Sequence, residues 1–189
     1  MSEPASLGEV LGALKSALQA AGIRWYVFGA QAVNAYGRPR MTADVDVTVE
    51  GPLDRAEALL GHLHRASFSL RVSEWQLFLE RTRVLPLVHD PTSTPVDVVF
   101  ARPGVEVDFL QHARDLDLAG LAVPVISPED LVASKILAGR PKDLEDARSV
   151  LAEQAGLLDL ERTRHWLRLF EEALGRSDLL RELERLQKD

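Results

Sequence analysis

The fold of this chain is decided by one short stretch, DVDVTVE at residues 44–50. Valines occupy every second position, and polar residues occupy the positions between them, which is the pattern of a half-buried β-strand. Side chains two positions apart on a strand point to the same face. The carboxylates of Asp44 and Asp46 are therefore expected side by side on the polar face of this strand.

A second strand is predicted upstream, where an apolar run ends in a glycine. Residues 23–28 lack polar alternation, which indicates burial on both faces, and Gly29-Ala30 turns the chain into a short helix that ends near Tyr36. Free backbone N–H groups and the helix dipole make the start of a helix a favourable place for phosphate. The sequence thus predicts an anion site close to the acidic pair.

The two aspartates are open to two interpretations. Two like charges held this close repel each other unless a cation lies between them, and aspartate oxygens suit Mg²⁺. The alternative is the solvent face of an amphipathic strand that carries two carboxylates by chance. With the upstream turn, the first interpretation predicts a site for a metal-bound nucleotide.

A third carboxylate, Asp97, lies within the apolar stretch PVDVVF at residues 95–100. An aspartate inside such a strand costs free energy unless it is paired, hydrogen-bonded or bound to metal. It is either a surface residue of an edge strand or the third ligand of the site, where it would also accept a proton from an attacking hydroxyl. A rival pair, Glu106 and Asp108, has no glycine turn before it and is predicted to start a helix.

A second charged cluster follows at residues 135–146. Its members are Lys135, Arg140, Lys142, Asp143 and Asp146. Lys142 and Asp146 are four positions apart, the spacing of a surface ion pair on a helix, and Asp143 suits the dipole of a first turn. The functional alternative is that Lys135 and Lys142 neutralise phosphates.

Composition limits the classes of function. The chain has 189 residues and a net charge of −7, which argues against broad nucleic-acid binding driven by overall charge. Cysteine is absent, so thiol catalysis and thiolate metal sites are excluded. We expect a cytoplasmic protein without a signal peptide or a membrane span.

The pattern as a whole predicts an α+β fold. We expect an α/β core over residues 1–120, with a mixed or antiparallel sheet flanked by helices, and a C-terminal helical region over residues 121–189 that packs on the core. Further strands are predicted at 68–72, 85–89, 96–100 and 121–126, with a helix at 74–80 between the first two. Ser127, Asp159 and Ser177 are predicted helix caps.

The order of these motifs resembles the nucleotidyltransferase fold of the DNA polymerase β superfamily. The resemblance covers about residues 23–150 and rests on the glycine turn, the Asp44-Val45-Asp46 pair and a later strand aspartate. The pattern Arg40-x-Thr42-x-Asp44-x-Asp46 is similar to the AbiEii/AbiGii toxin-type branch. That branch also carries a downstream lysine and the motif Arg-x-Lys-Asp-x-x-Asp, which here begin at Lys135 and Arg140.

The resemblance implies a Mg²⁺-dependent transfer of a nucleoside monophosphate from NTP to a hydroxyl acceptor. Asp44, Asp46 and Asp97 would hold two Mg²⁺ ions, with Asp97 also acting as base. The nucleotide-binding residues would be Gly29, Ala30, Arg40, Thr42, Lys135, Arg140, Lys142, Asp143 and Asp146. The acceptor would be RNA such as tRNA, a protein or a small molecule, and an antitoxin protein is the partner that the toxin branch implies.

One residue departs from the family pattern. Many members carry Gly-Ser or Gly-Gly at the turn, whereas the second position here is Ala30, which removes one hydroxyl donor for phosphate. This departure favours an alternative, a weak or inactive nucleotide-binding or protein-interaction module with the same fold. A third hypothesis, a helical scaffold with acidic surface residues, predicts that Asp44, Asp46 and Asp97 do not converge.

Overall fold

The computed structural model of the chain describes the backbone of residues 3–188 and the side chains of residues 7–188. Its strands are β1 Trp25–Phe28, β2 Val45–Val49, β3 Phe68–Leu70, β4 Val84–His89, β5 Thr94–Phe100, β6 Arg114–Leu118 and β7 Leu121–Val125. Its helices are α1 Glu3–Ala20, α2 Gly29–Tyr36, α3 Ala56–Arg65, α4 Trp75–Thr82, α5 Val105–His112, α6 Pro128–Ala138, α7 Pro141–Glu153, α8 Leu160–Leu174 and α9 Leu179–Leu186.

The strands form one mixed sheet in the order β3-β4-β5-β2-β1-β7-β6. The β2–β5 and β1–β7 pairs are parallel, and the other four pairs are antiparallel. This arrangement confirms the predicted α+β class with a mixed sheet flanked by helices. It also places β2, the strand that carries the acidic pair, fourth of seven across the sheet.

The neighbouring strands β2 and β5 bury one face and leave the other partly exposed. Val45, Val47 and Val49 of β2 are almost fully buried, as are Val96 and Val98 of β5. The partly exposed residues alternate with them, so the predicted period of two is confirmed. Thr48 departs from the simple pattern, because it lies on the polar face and is nevertheless buried.

Helix α1 supplies much of the covering layer for the sheet. Its buried residues are spaced three and four positions apart, which forms one apolar stripe along the helix: Val10, Leu11, Leu14 and Leu18. This helix contacts α3 and β7. The buried side of α3 carries Leu59, Leu60 and Leu63.

The chain divides into two compact units by its contacts. The first unit contains residues 1–31 and 41–126, and the second contains residues 32–40 and 127–189. The predicted boundary at residue 120 falls inside the β6–β7 hairpin instead, whose two strands pair along their length. The segment 32–40, which the sequence placed in the core, belongs to the second unit.

The second unit is helical, as the sequence predicted for the region after Ser127. The Ser127 hydroxyl accepts a hydrogen bond from the Asp130 backbone N–H at 3.2 Å, and Asp159 caps α8 in the same way. The prediction for Ser177 was wrong, because α9 has Asp178 at its N-cap position and no side-chain cap. None of the described helices has the length and hydropathy needed to cross a membrane.

The sequence missed one strand, β6. Asp115 and Asp117 are exposed on this edge strand, and aspartate is disfavoured in strands, so the stretch carries a weak signal. A two-residue turn, Ala119-Gly120, joins it to β7 with positive φ at both residues. The other predicted strands are confirmed, with ends that differ by up to two residues.

The cap of α6 gives a testable prediction for stability. Ser127→Ala leaves the Asp130 N–H buried without that acceptor, so we expect a loss of about 1 kcal/mol in the free energy of unfolding. This corresponds to a fall of roughly 2–4 °C in Tm for a chain of this size. Ser177→Ala is the matched control, and an equal fall in both variants would contradict the cap at Ser127.

Candidate active site

The site begins with two aspartates on neighbouring parallel strands. Asp46 of β2 and Asp97 of β5 are register partners, and both are partly exposed. Partners in a parallel pair lie about 4.8 Å apart and present their side chains to the same face. The register therefore brings together two of the three carboxylates that the sequence selected.

Gly29 follows β1, begins α2 and lies directly beside Asp46. Its φ is +63°, a conformation that favours glycine, and its neighbour Phe28 is the register partner of Asp46. A Cβ atom at Gly29 would lie 2.0 Å from Asp46 Oδ2 and 3.0 Å from Asp46 Cβ. Glycine is thus required both for the turn and for the close approach of this carboxylate to the start of α2.

Asp44 lies just before β2 and is exposed. Thr42 Oγ1 donates to Asp44 Oδ1 at 3.0 Å, and Gln31 Nε2 donates to the Asp44 carbonyl oxygen at 3.3 Å. Thr42 therefore orients a carboxylate in this structure. The predicted role of Thr42 in nucleotide binding stays a prediction.

Arg71 is the residue at this site that sequence reasoning missed. Its guanidinium Nη2 donates to Asp97 Oδ1 in an ion pair, and its backbone N–H donates to the Pro86 carbonyl oxygen at 2.9 Å. Pro86 is in turn the register partner of Asp97. The Arg71 side chain thus spans the width of β4 to reach β5, a contact that no local sequence pattern signals.

Asp46 and Asp97 are suitable ligands for a hard cation, but two carboxylates alone do not complete its coordination. Asp46 and Asp97 offer carboxylate oxygens, which Mg²⁺ prefers. Within residues 7–188, however, no three acidic or histidine side chains are placed so that they could hold a metal ion. The pair fits a divalent cation by donor type, and the three-carboxylate site with Asp44 stays a prediction.

The second charged cluster lies in the second unit and is an internal ion-pair network. Lys135 Nζ donates to Asp143 Oδ1 at 2.9 Å and to Asp146 Oδ2 at 2.8 Å. Arg40 donates to both oxygens of Asp146 at 2.8 and 3.0 Å, and Arg140 pairs with Asp143. Both aspartate side chains are 4% exposed, so the network joins residues 32–40 to α6 and α7 through buried charges.

Both aspartates remain ionised at neutral pH. Burial by itself would raise the pKa of Asp146, but hydrogen bonds from Arg40 and Lys135 outweigh it, so the pKa lies below its ordinary value. Burial likewise opposes ionisation of Asp143, and Arg140 and Lys135 lower its pKa. The network is therefore held together by full charges.

These contacts change the interpretation of the cluster. The predicted surface pair of Lys142 with Asp146 was wrong, because Asp146 is buried and pairs with Arg40 and Lys135. Lys135 is only 12% exposed, whereas Lys142 and Arg140 are exposed. Phosphate contacts from Lys135, Arg140 and Lys142 stay predictions.

The glycine turn continues into a residue without a polar side chain. Ala30 is buried, 8% exposed, in the first turn of α2. Its side chain contributes a methyl group to packing and no donor. Any anion held at this helix start would therefore depend on backbone N–H groups.

Solved structures with a similar fold are nucleotidyltransferase-like proteins. The antibiotic-resistance factor ANT(2'')-Ia matches with a TM-score of 0.58 and 12% identity, over 92% of this chain and 93% of its own. A second structure, ANT(2'')-Ia in complex with adenylyl-2''-tobramycin, matches with a TM-score of 0.58 and 14% identity, over 87% and 97%. An antigenic nucleotidyltransferase-like protein from Paracoccidioides brasiliensis matches with a TM-score of 0.56 and 20% identity, over 96% and 92%.

No protein-family model matches the sequence, and no curated protein does. At 12–20% identity the three structures show a shared fold and nothing finer. They confirm the predicted nucleotidyltransferase-like fold over most of the chain. They do not show the AbiEii/AbiGii branch.

The contact between Gly29 and Asp46 can be tested with a matched pair of variants. Gly22 has nearly the same φ, +64°, but open space around its Cβ position. Gly22→Ala should cost about 1 kcal/mol of unfolding free energy through backbone strain alone. Gly29→Ala adds a clash with Asp46, and we expect a total of roughly 2–4 kcal/mol in urea unfolding. Equal losses would show that the approach of Asp46 to Gly29 is loose.

The ion-pair network predicts a pH-dependent loss of stability. Lys135→Met leaves two buried carboxylates undercompensated, so we expect it to cost ~3 kcal/mol of unfolding free energy at pH 7. The exposed Lys142→Met should change it by less than about 0.5 kcal/mol.

The sign of the pH effect follows from the lowered pKa values of Asp143 and Asp146. Their stabilisation is complete above the ordinary aspartate pKa of 3.8 and is lost as pH falls through the lower folded-state values. The difference between wild type and Lys135→Met should therefore shrink in acid. Urea unfolding at several pH values measures it, and a difference that is independent of pH would contradict the network.

Proposed function

We propose that the chain is a Mg²⁺-dependent nucleotidyltransferase that moves a nucleoside monophosphate from NTP to a hydroxyl acceptor. One observation carries the proposal. Asp46 and Asp97 are register partners on parallel strands, and Asp46 lies against Gly29 at the start of α2. Paired carboxylates beside a helix start supply a cation site and an anion site in contact with each other.

In the proposed reaction, the acceptor oxygen forms a bond to the α-phosphorus and pyrophosphate leaves. Asp44, Asp46 and Asp97 would hold two Mg²⁺ ions, and bound cations would stabilise the attacking and leaving oxygens. Asp97 accepts the proton of the attacking hydroxyl. Gly29 and the N–H groups at the start of α2 hold the triphosphate.

The remaining nucleotide contacts are assigned by exposure. Lys142 and Arg140 are exposed, and we propose them as phosphate contacts. Lys135 and Arg40 pair with Asp146 in this structure, and we keep them as proposed phosphate contacts that the carboxylate positions. Asp143 and Asp146 hold these cations, and Thr42 orients Asp44.

The sequence leaves RNA, protein and small molecules open as acceptors, and we propose a small hydroxyl compound as the first to test. A net charge of −7 opposes broad binding to RNA. One structure of similar fold contains adenylyl-2''-tobramycin. RNA such as tRNA and protein hydroxyls are the other acceptors to test. If either is the acceptor, a role as a toxin with an antitoxin partner remains a candidate.

A nucleotide-binding module without turnover is the second candidate. Two observations favour it, the methyl group at Ala30 and the engagement of Asp97 by Arg71. It predicts NTP binding without transfer of the α-phosphate to any acceptor. The same experiment distinguishes it from the enzyme.

The test supplies each NTP labelled at the α-phosphate, with Mg²⁺, to wild type and to Asp46→Asn. Separate reactions contain a panel of small hydroxyl compounds that includes tobramycin, total cellular RNA or cellular protein. We expect label transfer by wild type and a loss of about a hundredfold or more in Asp46→Asn, because a ligand for the cation is removed. Asp115→Asn, on the exposed edge strand β6, is the matched control and should transfer at the wild-type rate.

The outcomes separate the candidates. Equilibrium dialysis that detects NTP binding without transfer to any of the three acceptor pools would favour the binding module. Neither transfer nor NTP binding would exclude both. Transfer that survives in Asp46→Asn would place the chemistry elsewhere in the molecule.

A further inference from the structure

Four strands, and one residue that follows a fifth, contribute to one row of residues across the polar face of the sheet. Asp46 is the register partner of both Phe28 on β1 and Asp97 on β5, and Asp97 is the partner of Pro86 on β4. Arg71, which follows β3, donates its backbone N–H to Pro86. The Arg71 guanidinium thus lies on Asp97, the register partner of Asp46.

The ion pair in this row is partly exposed to solvent. Arg71 and Asp97 are each 38% exposed in their side chains, and one guanidinium nitrogen contacts one carboxylate oxygen. Solvent-exposed pairs of this kind are weak because water and salt screen them. The Arg71 backbone is tied to β4, so the guanidinium remains near the row when it leaves Asp97.

The ion pair reduces the repulsion between two neighbouring carboxylates. Like charges directly opposite each other on neighbouring strands are destabilising, and Asp46 and Asp97 are such a pair. Arg71 compensates this charge. A divalent cation between the two carboxylates would provide the same compensation, and a guanidinium on the same carboxylate would repel it.

We infer that Arg71 is the resident counter-charge of Asp97 and that Asp97 exchanges this guanidinium for a divalent cation when NTP binds. This inference rests on the proposed function. The displaced guanidinium then pairs with phosphate oxygens, for which its planar set of donors is suited. Arg71 therefore couples cation binding to nucleotide binding, and the coupling acts equally in both directions.

The test measures Mn²⁺ affinity by electron paramagnetic resonance on the full chain, without nucleotide. We expect Arg71→Met to bind Mn²⁺ about two- to fivefold more tightly than wild type, because the competing charge is gone. The same variant should bind a non-hydrolysable NTP analogue about tenfold more weakly, because a charged donor is lost. Arg71→Lys should restore both affinities toward wild type.

Arg81→Met is the matched control, since it removes an exposed arginine from α4 with the same change in net charge. It should leave both affinities unchanged. The opposite directions of the two effects distinguish exchange from a merely structural role. A structural role would lower both affinities together, and a guanidinium that supports a bound ligand would weaken Mn²⁺ binding when removed.

The failure of this inference is distinguishable from failure of the proposed function. If wild type binds Mn²⁺ and loses it in Asp46→Asn, but Arg71→Met binds it no more tightly, only the exchange is overturned. If neither wild type nor Arg71→Met binds Mn²⁺, the cation site itself is absent and both proposals fall. Equal tightening in Arg81→Met would also overturn the exchange, because net charge alone would explain it.

Discussion

The parallel register between β2 and β5 is the constraint on which the candidate site depends. A slip of one residue would move every valine of β2 from the buried face to the open face. The buried valines on the two strands therefore determine which residues oppose each other. Because they determine it, Asp46 and Asp97 are held opposite each other on the other face. The hydrophobic core thus provides the geometry of the polar site without contributing an atom to it.

This arrangement places two negative charges next to each other, so their repulsion has to be compensated. Two adjacent carboxylates on a half-open face oppose folding unless something cationic is near, and Arg71, which follows β3, pairs with one of them. The second unit differs, since its two aspartates are buried and both pair with Lys135. Removing one member of a buried group leaves an uncompensated charge, whereas an exposed pair can open at little cost. The exposed Arg71–Asp97 pair is therefore suited to exchanging its partner, whereas the buried network around Lys135 is suited to staying intact.

The sequence predicted features that one segment of chain encodes by itself. The alternation in β2 and the turn at Gly29 are local patterns, and both are confirmed. The pairing of Arg71 with Asp97 was missed because it crosses the intervening strand β4. It depends on how neighbouring strands are aligned, which no single segment of the sequence encodes. The ion pairs of Lys135 with Asp143 and Asp146 were also missed, because they depend on how α6 and α7 pack across the break at Gly139. The fold class was therefore accessible from sequence, while the contacts of individual charges depended on tertiary packing.

The division of the chain inside α2 has a consequence for how the molecule is built. Residues 32–40 belong to the C-terminal unit, where Tyr36 accepts from Gln154 and Arg40 pairs with Asp146. A fragment that ended before Ser127 would leave this segment without those partners, and a fragment that began there would lack the segment. Neither fragment would therefore contain all the contacts of the C-terminal unit. That unit is complete only when a short segment from the N-terminal third of the chain is present with it.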